Sequence, residues 1–272
     1  MTRFIDEHPS HHGGRLGRHV EHDPRSRAYA LSEDLLPSAY TSATHAVRIP
    51  VLDQGNVGSC TGNAAEALTG SDPLYDAIPS TVTARPTGDA TADERQAVAL
   101  YAAATRLDSI QGVYPPTDTG STGLAVAKAV QKAGLISGYQ HALSLDSALK
   151  ALTAAPLIVG VNWYEGFDTP NTAGLVKATG SVRGGHEFLL YGIDASAKTV
   201  LARNSWGTEW GADGCFTFSF DDLGRLLDED GDATLFVPLS SPAPTPTPTP
   251  TPTDVDRALV ATFDAWRTAK GL

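Results

Sequence analysis

Residues 50–64, PVLDQGNVGSCTGNA, constrain this chain more than any other stretch. They end a short apolar run and turn through Gly55 and Gly58. Cys60 is thereby delivered to the start of a helix-favouring segment, residues 64–68. A thiol at a helix N-terminus meets unpaired backbone N–H groups and the positive end of the helix dipole, and both favour the thiolate. Cysteines in such places have pKa values lowered to about 3.5–7.5. Gln54 lies across the glycine turn, within reach of folding its amide back toward the sulfur. Taken alone, the stretch is better read as a buried cysteine on an ordinary helix. Two later stretches decide between the readings.

Residues 184–192, GGHEFLLYG, place His186 at the expected entry of an apolar strand. Residues 203–211, RNSWGTEWG, follow a second strand and supply Asn204 with Trp206 two positions on. The intervening turn, residues 194–198, makes a hairpin that brings His186 and Asn204 to one edge. They lie 126 and 144 residues beyond the cysteine, close to the spacing of about 130–150 known for a Cys-His-Asn order. In these three stretches, over about residues 36–239, the chain resembles the papain-like cysteine peptidases. The resemblance implies an α+β fold with a helical N-terminal lobe and an antiparallel β-sheet or barrel C-terminal lobe. The cleft between the lobes would hold the active site, with Cys60, His186, Asn204 and Gln54 as catalytic residues. Gly120, Ser121 and Thr122 would line the substrate groove, with Gly185 and Trp206 beside it. No metal or organic cofactor is implied. Two positions depart from the family pattern: Thr61 replaces the usual aromatic after the nucleophile, and Val57 replaces a usual disulfide cysteine. A disulfide-free variant follows, since the chain has two cysteines and Cys215 reads as structural.

The residues also divide the chain. Residues 1–35 form a polar arm containing five histidines without fixed ligand spacing, read as a solvated segment rather than a metal site. This arm is too short to be the family's folded pro-domain, and two roles fit it: a brace across the lobes, or a short mask over the cleft. The domain proper spans 36–239, with a helical lobe at about 54–155 and a β lobe at about 156–239. Helical spacing marks 93–107, 124–133 and 145–152, and residues 157–161 read as a strand. Ser121 or Thr122 could equally be nothing more than an N-cap. Tyr101 reads as core. The acidic run at 228–232 lacks the spacing of a calcium loop and reads as a solvated turn. Residues 240–253 are an extended Pro-Thr linker. Residues 254–272 fit an amphipathic helix able to dock a partner or the chain's own surface, and equally a frayed tail.

Charge and hydropathy exclude some classes. A net charge of −11 argues against a nucleic-acid surface. No apolar run of about 18 residues suggests a membrane span, and no signal-peptide pattern occurs at the N-terminus. A cytoplasmic protein, or one carried on a virion or exported without a conventional signal, is expected, as is a monomer acting on peptides or proteins. Two other functions share these residues: an amidase or acyl transferase acting on non-protein amides such as cell-wall peptides, and a catalytically idle binding protein.

Overall fold

A computed structural model describes residues 15–21, 23–32 and 36–239. The Pro-Thr stretch, the C-terminal amphipathic segment, and His8, His11, His12 and His22 lie outside the described residues.

Helix α1, Cys60–Thr69, is buried along its whole length. Its small residues explain this: Gly62 packs so closely on α3 that an added Cβ would fall 2.8 Å from the Tyr101 side chain. A four-residue turn of helix, α2 (Leu74–Ala77), follows. Helix α3, Ala90–Ala104, starts where Asp89 accepts from the Ala92 N–H, satisfying an orphan donor. Helix α4, Gly123–Lys132, starts in the same way on Thr122 and ends on a lysine that complements its dipole. Strand β2, Gly138–His141, precedes α5, Leu145–Ala154, which opens with a Ser144–Ser147 capping box and ends just before Pro156.

The sheet contains β1 (Ala43–Thr44), β2, β3 (Leu157–Tyr164), β4 (Val182–Asp194), β5 (Thr199–Arg203), β6 (Cys215–Ser219) and β7 (Asp232–Val237). Its order is β2-β7-β3-β4-β5-β6, with β1 paired to β4, and every pairing is antiparallel. Helix α6, Phe220–Asp228, joins β6 to β7. Strands β3 and β4 are apolar on both faces because both faces are covered. Ile158 and Leu189 pack with Leu68, Leu100, Val126 and Leu135 of the helical side. Val159 and Phe188 pack with Trp163, Phe216 and Phe218 on the other. Each such large side chain, fully buried, stabilises the fold by about 1.5–3 kcal/mol. The fold is therefore α+β, with helices against one side of an antiparallel sheet. No helix among the described residues is long and apolar enough to cross a membrane.

Four expectations change. Residues 138–141 fall in the stretch read as helical lobe, yet they pair with β7 and belong to the sheet. His186 lies inside β4 rather than at its entry, because Gly184 and Gly185, which look like a turn, are strand residues opposite Trp163 and Asn162. The arm is not solvated at residues 16–18: Leu16 is 2% and Arg18 4% exposed. Nor is the acidic run a free turn. Glu229 accepts the Tyr164 hydroxyl at 2.6 Å, and Asp232 begins β7 in an ion pair with Arg18.

Candidate active site

Cys60 is the first residue of α1 and is fully buried. It forms no disulfide, and neither does Cys215. Helix α1 packs against β4, the strand that carries His186. Strand β5 ends at Arg203, so the hairpin sets Asn204 beside His186, as its spacing requires. The His186 Nε2 and Asn204 Oδ1 atoms are 2.7 Å apart. The Ser205 backbone N–H donates to the same Asn204 atom at 2.8 Å, which identifies that atom as the amide oxygen. Nε2 must then carry the proton, leaving the lone pair on Nδ1. Nδ1 has no hydrogen bond among the described residues. Burial pushes the His186 pKa down to about 4, against an opposing contribution from Asn204, so the ring is neutral at pH 7.

An aromatic shell encloses this pair. The Trp206 ring lies 5.0 Å and the Trp163 ring 4.8 Å from the imidazole, centroid to centroid. Trp163 is itself held by its indole N–H, which donates to Asp168 at 2.9 Å.

Gln54 faces the same region. Its amide oxygen accepts the Ser205 hydroxyl at 2.6 Å, and its backbone N–H donates to the Ser205 carbonyl at 2.9 Å. The side-chain NH₂ then donates to the Val57 carbonyl at 2.9 Å and to the Arg15 carbonyl at 2.8 Å. A peptide carbonyl of the arm is thus seated on Gln54.

The arm continues between Gly185 and Ser121. Gly17 and Arg18 donate to the Gly185 carbonyl at 3.2 and 2.9 Å. Ser121 N–H donates to the Gly17 carbonyl at 2.8 Å, and His19 N–H donates to the Ser121 carbonyl at 2.8 Å, pairing Arg18 with Ser121 in parallel. Gly17 lies so near Gly58 that an added Cβ would sit 2.6 Å from the Gly58 carbonyl carbon and nearer still to its oxygen. Gly58, two residues before Cys60, and Gly185, next to His186, therefore meet on one residue of the arm.

Sequence reasoning missed the parts that hold this arrangement. Tyr101, read only as core, donates its hydroxyl to Asp118 at 2.6 Å and accepts from Gly120 N–H at 2.9 Å. Asp118 also accepts from Gly58 N–H at 2.9 Å. One carboxylate thus ties the turn before Cys60 to the loop carrying Gly120 and Ser121. Nothing in the spacing of Asp118 marks it for this task. Thr122 acts as the α4 cap, while the Ser121 backbone pairs with the arm. No cluster able to hold a metal occurs among the described residues.

Residues 105–224 match the family model described as "Papain family cysteine protease". That span includes His186 and Asn204 and begins after Cys60. A curated relative, cathepsin B-like CP3 of Giardia intestinalis, is 27% identical over 187 residues, 61% of this chain. The match spans 62% of that relative's length. Among solved structures, xylellain, a cysteine protease from Xylella fastidiosa, superposes with a TM-score of 0.50 at 19% identity, covering 87% of this chain and 99% of that one. Procathepsin B S9 from Trypanosoma congolense gives 0.56 at 11% identity, covering 82% and 86%. Over residues 105–224 the chain is thus similar to the papain family of cysteine proteases, its fold is the one these solved proteases share, and its two cysteines make no disulfide.

Proposed function

We propose that the chain is a cysteine-type endopeptidase, held latent by its own residues 15–19. The observation that carries the reading is a peptide carbonyl, that of Arg15, which accepts from the Gln54 side-chain NH₂ beside the His186–Asn204 pair. A substrate carbonyl would take the same place once the arm withdraws.

In this reaction the Cys60 thiol gives its proton to His186 Nδ1, and the sulfur attacks the carbonyl carbon of a substrate peptide bond. Charge builds on the carbonyl oxygen. Gln54 and the Cys60 backbone N–H stabilise it, each such donor being worth about 10²–10³ in rate. The imidazolium then protonates the leaving amine as the C–N bond breaks, and a thioester on Cys60 remains. His186 next takes a proton from water, whose oxygen attacks the thioester. The acid is released and the thiol restored. Asn204 keeps the ring turned throughout, and Trp206 screens the His–Asn contact from water.

The test is digestion of a fluorogenic peptide library by the wild-type chain and by Cys60→Ala, with intact mass recorded before and after incubation. The wild type should cleave peptides after an initial lag while the arm leaves, and Cys60→Ala should not. Equal hydrolysis by both chains would remove the reading. So would no hydrolysis by a variant whose Cys60 is demonstrably accessible to alkylation.

A further inference from the structure

Arg18 is an unusual residue to find inside a protein. Its side chain is 1% exposed, although it belongs to a polar arm. Its guanidinium Nη2 donates to the Asp230 carbonyl at 2.7 Å and forms an ion pair with Asp232. Glu187 lies alongside, wholly buried, with neither carboxyl oxygen hydrogen-bonded among the described residues.

The sheet register explains the cluster. Gly160 of β3 stands opposite Glu187 of β4 on one side and Asp232 of β7 on the other. Cross-strand partners direct their side chains to the same face. A glycine between two acids therefore leaves a slot walled by carboxylates. A Cβ at Gly160 would lie 2.6 Å from Arg18 Nε and 2.9 Å from Asp232 Oδ2. A Cβ at Gly123 would lie 2.6 Å from Asp232 Oδ1 and 2.8 Å from Glu187 Oε1. A side chain at either glycine would fill the slot.

Burial first, then Asp232, push the Glu187 carboxyl well above its ordinary range against the pull of Arg18, so ionising it there is costly unless a cation accompanies it. Arg18 uses only part of what the slot offers. Its Nε and Nη1 have no hydrogen bond among the described residues, and neither do the Glu187 carboxyl oxygens. A guanidinium has five donors in a planar fork, which suits two carboxylates better than the point charge of a lysine does. The backbone that presents Arg18 is bonded to the Gly185 carbonyl, one residue before His186. A cavity of about 410 Å³ opens against Asp232 and Gly123, so the slot is reachable from solvent.

We propose that Glu187 and Asp232, with the room left by Gly160 and Gly123, form an arginine-recognition subsite of the groove, which Arg18 fills in cis. The inference rests on the peptidase reading for its consequence, that the enzyme selects peptides presenting an arginine to this slot. The slot itself can be tested without turnover.

Binding is measured first, on the full chain carrying Cys60→Ala and Arg18→Ala, by calorimetry with acetyl-argininamide and with its uncharged isostere acetyl-citrullinamide. The arginine compound should bind at least tenfold more tightly, and adding Asp232→Asn or Glu187→Gln should abolish the difference. Equal binding of the two compounds overturns the subsite. Should Arg18→Ala fail to fold, the unaltered chain serves: acetyl-argininamide should speed alkylation of Cys60 by displacing Arg18, and acetyl-citrullinamide should not. Equal alkylation rates overturn the proposal. Turnover is measured separately on matched arginine and citrulline peptides. A binding preference with no cleavage of either keeps the subsite and removes the peptidase reading. Cleavage with no arginine preference does the reverse.

Discussion

Gly17→Ala is the sharpest perturbation of the proposed latent state. The added methyl carbon would lie 2.6 Å from the Gly58 carbonyl carbon and 2.8 Å from its Cα. Carbon atoms are comfortable at about 3.5–4.0 Å. Backbone on the far side cannot swing away as a side chain can, so the arm must retreat by roughly 1 Å. Four hydrogen bonds converge here: those from Gly17 and Arg18 to Gly185, and the two exchanged with Ser121. If two to four of them fail, at about 0.5–1.5 kcal/mol each, the docked arm loses on the order of 2–4 kcal/mol. At about 1.4 kcal/mol per factor of ten, the open population rises roughly thirtyfold to several-hundredfold. The assay is the rate of Cys60 alkylation by iodoacetamide, read by mass spectrometry, with the initial rate on a fluorogenic peptide in parallel. Both rates should rise together, and the activation lag should shorten. A Gly17→Ala chain that is folded yet alkylates at the wild-type rate would show that the arm does not guard the sulfur.

The other predictions concern the site and the core. Asn204→Ala strands the buried Nε2 proton of His186; such a loss costs about 1–3 kcal/mol, so kcat/KM should fall roughly 10- to 100-fold, with the alkaline limb of the pH–rate profile displaced. Gln54→Ala should separate two readouts: turnover falls by about 10²–10³, while Cys60 alkylation quickens because the Arg15 carbonyl loses its donor. Glu66 is buried in α1 with no partner for its carboxyl among the described residues; burial first, then Asp93 and Glu94, push its pKa up to about 9 from 4.5. The folded state thus holds a proton that the unfolded chain releases, and stability is lost as pH rises from about 5 toward 9. Glu66→Gln should abolish that loss and raise stability by on the order of 3 kcal/mol at pH 7, seen in chemical denaturation across pH; an unchanged slope refutes the assignment. His186 acts in the opposite sense. With its folded pKa lowered to about 4, its contribution is present above about 6.5 and is lost as pH falls from there to 4. Denaturation of wild type and His186→Gln between pH 7 and 4 should differ in slope over that window.

Residue chemistry with a fixed local signature was legible in the sequence. Apolar runs and caps marked α3, α4, α5, β3 and the β4–β5 hairpin, and the hairpin alone predicted that His186 and Asn204 would meet. What stayed hidden depends on register. Glu187 and Asp232 look unrelated until Gly160 is found opposite both. Gly184 and Gly185 mimic a turn because glycine is also what a strand needs where another backbone crosses it closely. Residues 16–18 carry no apolar periodicity, since only one leucine is buried there and the rest of the docking is backbone pairing. Asp118 and Tyr101 bind backbone N–H groups of distant loops, a role that leaves no periodic trace.

In the proposed peptidase, latency is electrostatic as well as steric. With the arm docked, His186 has no access to water and its ring is driven neutral, with the lone pair on Nδ1. A thiolate–imidazolium pair in that dry enclosure must form without hydration, at a desolvation penalty of several kcal/mol per ion. Withdrawal of residues 15–19 admits water and substrate together, lifts the imidazole toward its ordinary range and frees the Gln54 amide. In that reading one motion would restore the proposed base, oxyanion donor and arginine slot at once. Any variant that opens the arm should therefore raise the apparent pKa of His186, followed through its ring-carbon NMR shifts, in step with the gain in activity. Activation without that rise would mean that the arm only blocks the groove.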